Sequence, residues 1–402
     1  MFTYMSLSLE TLTVSQSQVV LSIVIPCLNE QDSIGSCIQK AKTAITELSL
    51  PSEIIIVDNG STDSSAKIAS TLGTRVVQVT ERGYGHALMG GIAAAKGQYI
   101  VMGDADDSYD FSEIRQFVHK LKEGYDLVQG CRFPRGGGII KPHAMPFLHR
   151  YVGNPLLSFI ARVWFKTQLQ DIYCGMRAFT KPFYLSLNQS CAGMEFAAEM
   201  IVKASMKNAK ISEVPITLYK DARKSHRSHL KTFRDGWKTL RFFLLFCPRW
   251  LFLLPGLMFL FLGAFGYGIA MPGLTFFNKM TFDAHTLVFA SLSILTGYQM
   301  LLFCVYTKTY ASEAGFLTPD PLFNKWSSKM SLEKGIATAG LAFLAGISLL
   351  IHAIYQWVAV DFGHLDYGHT MRWVIPGATL VAFAIQTIFS SFFLSILRIH
   401  KK

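Results

Sequence analysis

Hydrophobic positions follow two regimes along this chain of 402 residues. Up to about residue 220 they form short runs and stripes separated by polar turns; beyond Trp250 they form long blocks. In the first regime, 19–25 (VVLSIVI) is an apolar run broken only by one Ser and closed by Pro26, the pattern of a strand buried on both faces. Leu28-Asn29-Glu30 then opens a helix reaching roughly Leu48. Residues 53–57 (EIIIV) read as a second strand, ended by the turn-forming run Asp58-Asn59-Gly60-Ser61-Thr62-Asp63, where Asp63 or Ser61 can cap the next helix. A third strand is expected at 74–79, a helix at 84–96 and a fourth strand at 99–102 (YIVM). Strands alternating with helices predict an α/β fold with a doubly wound, mostly parallel sheet.

The pattern continues with a strand at 125–132 and a flexible Gly136-Gly137-Gly138 loop. A helix at 154–166 has apolar residues at 156, 157, 160, 163 and 164. That stripe suits a helix in the membrane interface, and equally one packed on the sheet. A helix at 194–207 carries Glu195 and Glu199 four apart on one face, and a last strand is expected at 210–218.

In the second regime four apolar segments follow, about 250–271, 286–307, 336–358 and 373–397. Each reaches the roughly twenty residues needed to cross about 30 Å of hydrocarbon. Pro255 falls near the start of the first, where a helix tolerates it. None of the four has an acid, Lys or Arg at its middle, which argues against a transporter or proton relay. The organisation expected is a loose leader over 1–17, a sheet domain over 18–230, a basic amphipathic juxtamembrane helix over 231–249 and a transmembrane domain over 250–402.

Charge sharpens this picture. The formal net charge is +11. Between Lys203 and Arg249 stand twelve Lys or Arg against three acids, so most of the excess abuts the apolar blocks. That placement fits anionic lipid headgroups and not nucleic acid, at about 1 kcal/mol per basic residue near such a surface. The connector 308–335 carries Lys308, Lys325, Lys329 and Lys334, and the tail carries Arg398, Lys401 and Lys402, whereas the other two connectors hold only Lys279 and Arg372. The positive-inside rule then places the N-terminal domain, that connector and the C-terminus on the cytoplasmic side of a multi-pass membrane protein. No Lys or Arg precedes Lys40 and the first fifteen residues hold no apolar core, so the N-terminus does not read as a signal peptide. Seven cysteines without a CxxC pair are expected to be reduced thiols.

The candidate chemistry sits at strand ends. After the fourth strand come Gly103-Asp104-Ala105-Asp106-Asp107, and carboxylates at the carboxyl edge of an α/β sheet stand where such sheets bind ligands. Two carboxylates one residue apart can share a divalent cation, and hard oxygen ligands favour Mg²⁺ or Mn²⁺. Asp58 ends a strand on the same edge. Gly83-Tyr84-Gly85, ahead of a helix, could offer N–H groups to a phosphate. Arg132, at the end of the fifth strand, is a candidate phosphate ligand. Neither GxxxxGK[ST] nor GxGxxG with a following acid occurs in this half, which disfavours P-loop and NAD chemistry. His226 and His229 read as surface residues.

Together, IVIPCLNE, VDNGSTD, GYGHALMGGI, VMGDADDSYD, DIYCGMRAF and EVPI resemble the GT-A family 2 glycosyltransferases of the dolichyl-phosphate mannose and glucose synthase type, over about residues 19–230. The FRDGW and PRW segments resemble the bacterial branch with four spans, which implies a bacterial inner membrane. The resemblance implies that Pro26, Leu28, Asn29 and Glu30 lie against the donor nucleotide, that Asp58 holds its base and ribose, and that Asp104, Ala105 and Asp106 form the DXD motif for metal and diphosphate. It directs Arg132 and Arg223 to phosphate groups, and maps Arg150 and Asn154 to the acceptor phosphate. Three positions depart from the family: Ser108 replaces a Gln, Asn154 a Ser, and Arg223-Lys224-Ser225-His226 lacks the usual Gly.

The function implied is inverting, metal-dependent transfer of a hexose from a nucleotide sugar, of the GDP-mannose or UDP-glucose type, to a polyprenyl phosphate at the cytoplasmic face. Asp104, Asp106 and Arg223 would carry it, and homo-oligomers are compatible with it. One rival is transfer to a hydroxyl of a lipid or polysaccharide with Glu195 as base. Phe246 in place of the Gln of the Gln-x-x-Arg-Trp signature, three before Arg249-Trp250, speaks against processive synthesis. The rival from another class is a non-catalytic membrane scaffold.

Overall fold

Four apolar runs become the centre of a sheet: β1 (Leu21–Cys27), β2 (Ser52–Asp58), β3 (Arg75–Gln78) and β4 (Tyr99–Met102). All are parallel, with β1 between β2 and β4. In the computed structural model, residues 19–223, 232–272, 275–276, 280–313, 323, 325, 327 and 331–399 are described. The expected leader, and the basic run from Lys224 with His226 and His229, lie outside them. The chain divides into two units, Met1–Phe242 and Phe243–Lys402.

In the first unit, α1 (Ile34–Leu48), α2 (Ser65–Thr71), α3 (Tyr84–Ala94) and α4 (Ile114–Lys122) link the strands. β5 (Leu127–Cys131), β6 (Ile139–Ile140), β7 (Arg177–Thr180), β8 (Ile211–Pro215) and β9 (Thr217–Leu218) follow, interleaved with α5 (Asn154–Phe165), α6 (Lys181–Ser186) and α7 (Phe196–Met206). Sheet order is β3-β2-β1-β4-β7-β5-β8. Ile23, Ile25, Ile56 and Val101 are fully buried and pack with Ile34, Ile38, Phe111 and Phe117 in one core.

Three expectations change. The sequence reading has no strand at Arg177–Thr180, yet β7 enters antiparallel between β4 and β5. The strand expected over 210–218 breaks at Pro215, which has no N–H for the ladder; β9 leaves to pair with β6. Ser64, not Asp63 or Ser61, is the N-cap of α2. Asp63 instead accepts from the Ser65 N–H at 2.9 Å, and the Ser61 hydroxyl accepts from the Asn29 N–H at 3.0 Å.

The helix expected at 154–166 is α5, and its small residues Ser158 and Ala161, with Phe165, are the buried face. Of the apolar stripe, Leu156 and Val163 are exposed, with Phe159, Phe147 and Tyr151 beside them, while Leu157, Ile160 and Trp164 are half-buried. The seven cysteines are all free thiols.

Among the described residues, the second unit has four helices long and apolar enough to cross a membrane: Arg249–Ala270, Ala284–Glu313, Leu332–Val358 and Tyr367–Leu397. The first packs on the second, the third on the fourth, and the second also touches the fourth. Gly346 and Gly377 let the third and fourth backbones meet, since a Cβ on either would stand within 3.1 Å of the other's carbonyl oxygen. The basic helix expected over 231–249 is α8 (Thr232–Phe246), which precedes the first of them.

Candidate active site

The carboxyl ends of β1, β2 and β4 bring Glu30, Asp58 and Asp104–Asp107 to one edge of the sheet. The turn after β4 separates its acids. Asp107, with φ 60°, swings back to α1, where it accepts from Lys40 at 2.8 Å and Ser36 at 2.9 Å. Asp104 and Asp106 stay at the edge. Asp106 Oδ1 accepts from the Ser108 hydroxyl at 2.6 Å and its N–H at 3.1 Å, so Ser108 orients the carboxylate where the family carries a Gln.

Asp104 Oδ1 accepts from the Tyr84 hydroxyl at 2.8 Å. Burial and then the charge of Asp106 push its carboxyl up to about 6. Gly175 presses on its other oxygen: a Cβ there would stand 2.4 Å from Asp104 Oδ2. The Tyr109 hydroxyl holds that turn by accepting from the Gly175 N–H at 2.9 Å.

Arg223 reaches this edge by a backbone zipper. Tyr109 bridges Leu218, Tyr219 N–H donates to Ser108 O at 2.9 Å, and Ala222 N–H to Asp106 O at 3.0 Å. Arg223 then donates through Nη1 to Glu30 Oε1 at 3.0 Å, through Nη2 to Asp106 Oδ2 at 2.9 Å, and through Nε to Asp221 at 2.8–2.9 Å. Although burial opposes its charge, Asp221, Asp106 and Glu30 hold the guanidinium above its usual pKa.

On the β2 side, Asp58 is buried at 3% exposure and its Oδ1 accepts from the Ser61 N–H at 2.9 Å. Asn29, with φ 59°, accepts through Oδ1 from Thr62 at 2.8 Å, fastening the first loop to the second. Asn59 accepts from Gly83 and donates to Val79 O and Glu81 O, which sets the Gly83-Tyr84-Gly85 turn. Pro26 and Leu28 flank Cys27, whose register partner is Asp58.

Arg132 follows β5 as expected, but its guanidinium forks onto buried Asp171 with Nε and Nη2 at 2.7 and 2.9 Å. The sequence does not reveal that partner. Arg150 stands in a wide turn, His149–Gly153, with its guanidinium over the Tyr151 ring at 5.4 Å. The Asn154 amide points at Met145 Sδ, 3.8 Å away.

Arg177, Asp221 and the side chain of Tyr84 are what the sequence reading missed, since it took Gly83-Tyr84-Gly85 only for its backbone N–H groups. Arg177 is fully buried and donates to Ala197 O at 2.8 Å and Cys174 O at 2.7 Å, and burial lowers its pKa. It joins α7 to the turn that presses on Asp104. An Arg inside the apolar run MRAFT was the available signal.

Glu195 and Glu199 do not share one exposed face. Glu199 is fully buried and paired with Lys203 at 2.7 Å. It also accepts from the Ser190 and Cys191 N–H groups at 3.1 and 2.8 Å. Burial would raise its carboxyl, yet Lys203 and those N–H groups hold it below the ordinary value. Glu195 precedes α7; its Oε2 is buried without a hydrogen-bond partner, and Lys238 Nζ stands 3.8 Å from Oε1.

Among the described residues, no group of three or more His, Cys, Asp or Glu could hold a metal ion. A cavity of about 710 Å³ near Tyr125, Lys166 and Lys210 lies at the opposite, amino edge of β5 and β8.

Comparison with known proteins gives the lineage. Residues 22–185 match the glycosyl transferase family 2 model, and residues 305–398 match the family 2 C-terminal transmembrane region. The low-salt glycan biosynthesis hexosyltransferase Agl6 of Haloferax volcanii is 32% identical over 375 residues, 93% of this chain and 88% of that protein. A dolichyl-phosphate hexose transferase of the same organism is 30% identical over 49% of this chain and 81% of its own length. Glucosyl-3-phosphoglycerate synthase of Mycobacterium tuberculosis, solved with Mn²⁺, UDP and glucosyl-3-phosphoglycerate, is 21% identical over 57% of this chain and 80% of its own, with a TM-score of 0.44. A relative matched across both units ties the sheet and the membrane helices into one lineage: the chain belongs to glycosyltransferase family 2, in a membrane-bound form.

Proposed function

We propose that the enzyme transfers a hexose from a nucleotide sugar to a polyprenyl phosphate, inverting the anomeric centre. The observation that carries this reading is the edge cluster in which Arg223 spans Glu30 and Asp106 beside Asp104. The donor nucleotide lies against Pro26, Leu28, Asn29 and Glu30, with Asp58 on its base and ribose. Asp104 and Asp106 suit a divalent cation: two hard oxygen donors and no soft ligand leave the rest of the shell to diphosphate oxygens and water. Burial first, and then the charge of Asp106, raise the Asp104 carboxyl, and a cation bound there would offset both. Bound there, Mg²⁺ or Mn²⁺ supplies charge compensation to the departing diphosphate.

In the reaction, an acceptor phosphate oxygen bonds to the anomeric carbon as the bond to the diphosphate oxygen breaks, and that electron pair leaves with the nucleoside diphosphate. No proton has to be removed, because a phosphate monoester with a second pKa of about 6 is largely dianionic at neutral pH. Arg223, already aimed at the carboxylates, provides positive charge for phosphate groups. Arg132, Arg150 and Asn154 are proposed for the acceptor phosphate; Arg132 would engage it while Asp171 fixes its orientation. The name of the dolichyl-phosphate relative and the four spans support a lipid acceptor. The exposed Leu156, Phe159 and Val163 of α5 suit contact with a membrane surface, and the charge distribution favours the cytoplasmic face.

A second reading rests on the unpartnered Glu195 Oε2, which could serve as base toward a hydroxyl acceptor. One experiment separates them. Membranes holding the full chain are incubated with a panel of labelled nucleotide sugars and polyprenyl phosphate, and extracted lipids are analysed by mass spectrometry. A sugar on a prenyl monophosphate supports the first reading; a product only on a hydroxyl acceptor overturns it.

A further inference from the structure

The membrane unit contains a cavity of about 570 Å³ between its second, third and fourth spans. Two of its walls differ in character. On the fourth span Thr387, Ser391 and Ser395 recur every fourth residue, one face of a helix, and set hydroxyls along the wall. These hydroxyls have local partners: Ser391 donates to Thr387 O at 2.8 Å, Thr387 to Phe383 O at 2.7 Å, and Tyr298 of the second span bonds Thr387 at 2.7 Å. The second span offers Leu302 and Val305 opposite. At the end where the third span begins and the fourth finishes, Lys334 and Arg398 line the cavity. Arg398 is oriented by Ser327, which receives Nη2 at 2.9 Å on its carbonyl and 3.0 Å on its hydroxyl. Glu333 also stands at this mouth, bonded to the Ser331 hydroxyl, and the charge of Glu313, at the end of the second span, bears on Arg398, so Lys334 and Arg398 face two carboxylates.

We propose that this cavity binds the phosphate headgroup of a membrane lipid, with the phosphate on Lys334 and Arg398 and the first part of the chain against Leu302 and Val305. Cations at one end and an apolar wall beyond match a molecule with an anionic head and an apolar tail. Two lipids share that chemistry, a bulk phospholipid and a polyprenyl monophosphate. The site does not depend on the transfer reaction proposed above, because its evidence lies wholly within the second unit.

The test uses the purified full chain in detergent and native mass spectrometry. Polyprenyl monophosphate, phosphatidylglycerol and phosphate-free polyprenol are added separately. The wild type should retain one phosphate-bearing lipid at concentrations where polyprenol is not retained. Lys334→Ala combined with Arg398→Gln should lower occupancy about tenfold or more, and Arg398→Lys should retain it. Ser390→Leu, which fills the cavity and leaves its charges, should also lower occupancy; equal apparent Tm values check that each variant is folded. Binding of both phosphate lipids supports a headgroup site for bulk lipid. Binding of the polyprenyl monophosphate alone supports a site for that lipid. Equal retention of polyprenol, or unchanged occupancy in the folded charge and filling variants, overturns the proposal.

Discussion

Arg223 and Asp106 stand 117 positions apart in sequence, yet their side chains meet at 2.9 Å while the same guanidinium reaches Glu30 at 3.0 Å. The strand that leaves the sheet after Pro215 makes this possible, because the backbone from Leu218 to Ala222 runs hydrogen-bonded along the turn that carries Asp106. One cation thereby sits between two acidic loops at the edge where a nucleoside diphosphate would enter.

Arg223→Ala should lower kcat/KM by roughly 10²- to 10³-fold, the usual cost of losing one charged group aimed at a developing anion. Arg223→Lys should recover part of it, since an ammonium supplies charge without the fork. The measurement is sugar transfer to extracted lipid at matched protein. Wild-type rates in Arg223→Ala would remove it from the active site.

The metal proposal has a pH signature. The folded Asp104 carboxyl, near 6, lies above its ordinary value of 3.8. Such a group contributes stability that is present below pH 4 and lost as pH rises through about 6. Metal-free wild type should therefore lose stability between pH 4 and 7 relative to Asp104→Asn, by on the order of 1–2 kcal/mol once residual solvent contact is allowed for. Mn²⁺ should restore wild type above pH 6 and leave Asp104→Asn unchanged, and EDTA should abolish turnover. Parallel pH curves for the two proteins, or turnover in EDTA, would contradict the assignment.

The fold was legible where burial is two-sided. The runs of β1, β2 and β4 read as buried strands by their shortness and β-branched content, and the carboxyl edge followed from them. β7 was not legible, because four residues starting with Arg177 carry no apolar alternation; its place between β4 and β5 comes from pairing with residues some fifty to eighty positions away. In the site, the sequence singled out Asp104 and Asp106, but only the positive φ of Asp107 explains why the third acid turns to Lys40. The partners Asp171 for Arg132 and Tyr84 for Asp104 are distant in sequence, and no local pattern announces them.

Orientation in the membrane rests on the Lys and Arg of the connectors. In a background lacking the seven native cysteines, a Cys replacing exposed His364, between the third and fourth spans, should react with an impermeant reagent added to intact cells. A Cys replacing exposed Lys325, between the second and third, should react only after lysis. The reverse pattern would put the sheet unit on the outer face, away from cytosolic nucleotide sugars.

Glu199 and Glu195 decide between a phosphate and a hydroxyl acceptor. Glu199 is bound to Lys203 and to two backbone N–H groups, so it is neither free to take a proton nor dispensable. Glu199→Gln leaves Lys203 buried with its ion pair broken, a change that costs about 3–5 kcal/mol in buried pairs. It should show first as lower apparent Tm and poor yield, with surviving protein still turning over. Glu195 is the opposite case, a carboxylate with one buried oxygen and a Lys at 3.8 Å, positioned to act if a proton had to move. A dianionic phosphate acceptor makes no such demand. Glu195→Gln should therefore keep most of its rate, with activity rising through the acceptor's own pKa of about 6 and then levelling without a further basic limb. If Glu195→Gln binds donor normally but loses at least 10²-fold in kcat, the general-base role is real and the acceptor is a hydroxyl.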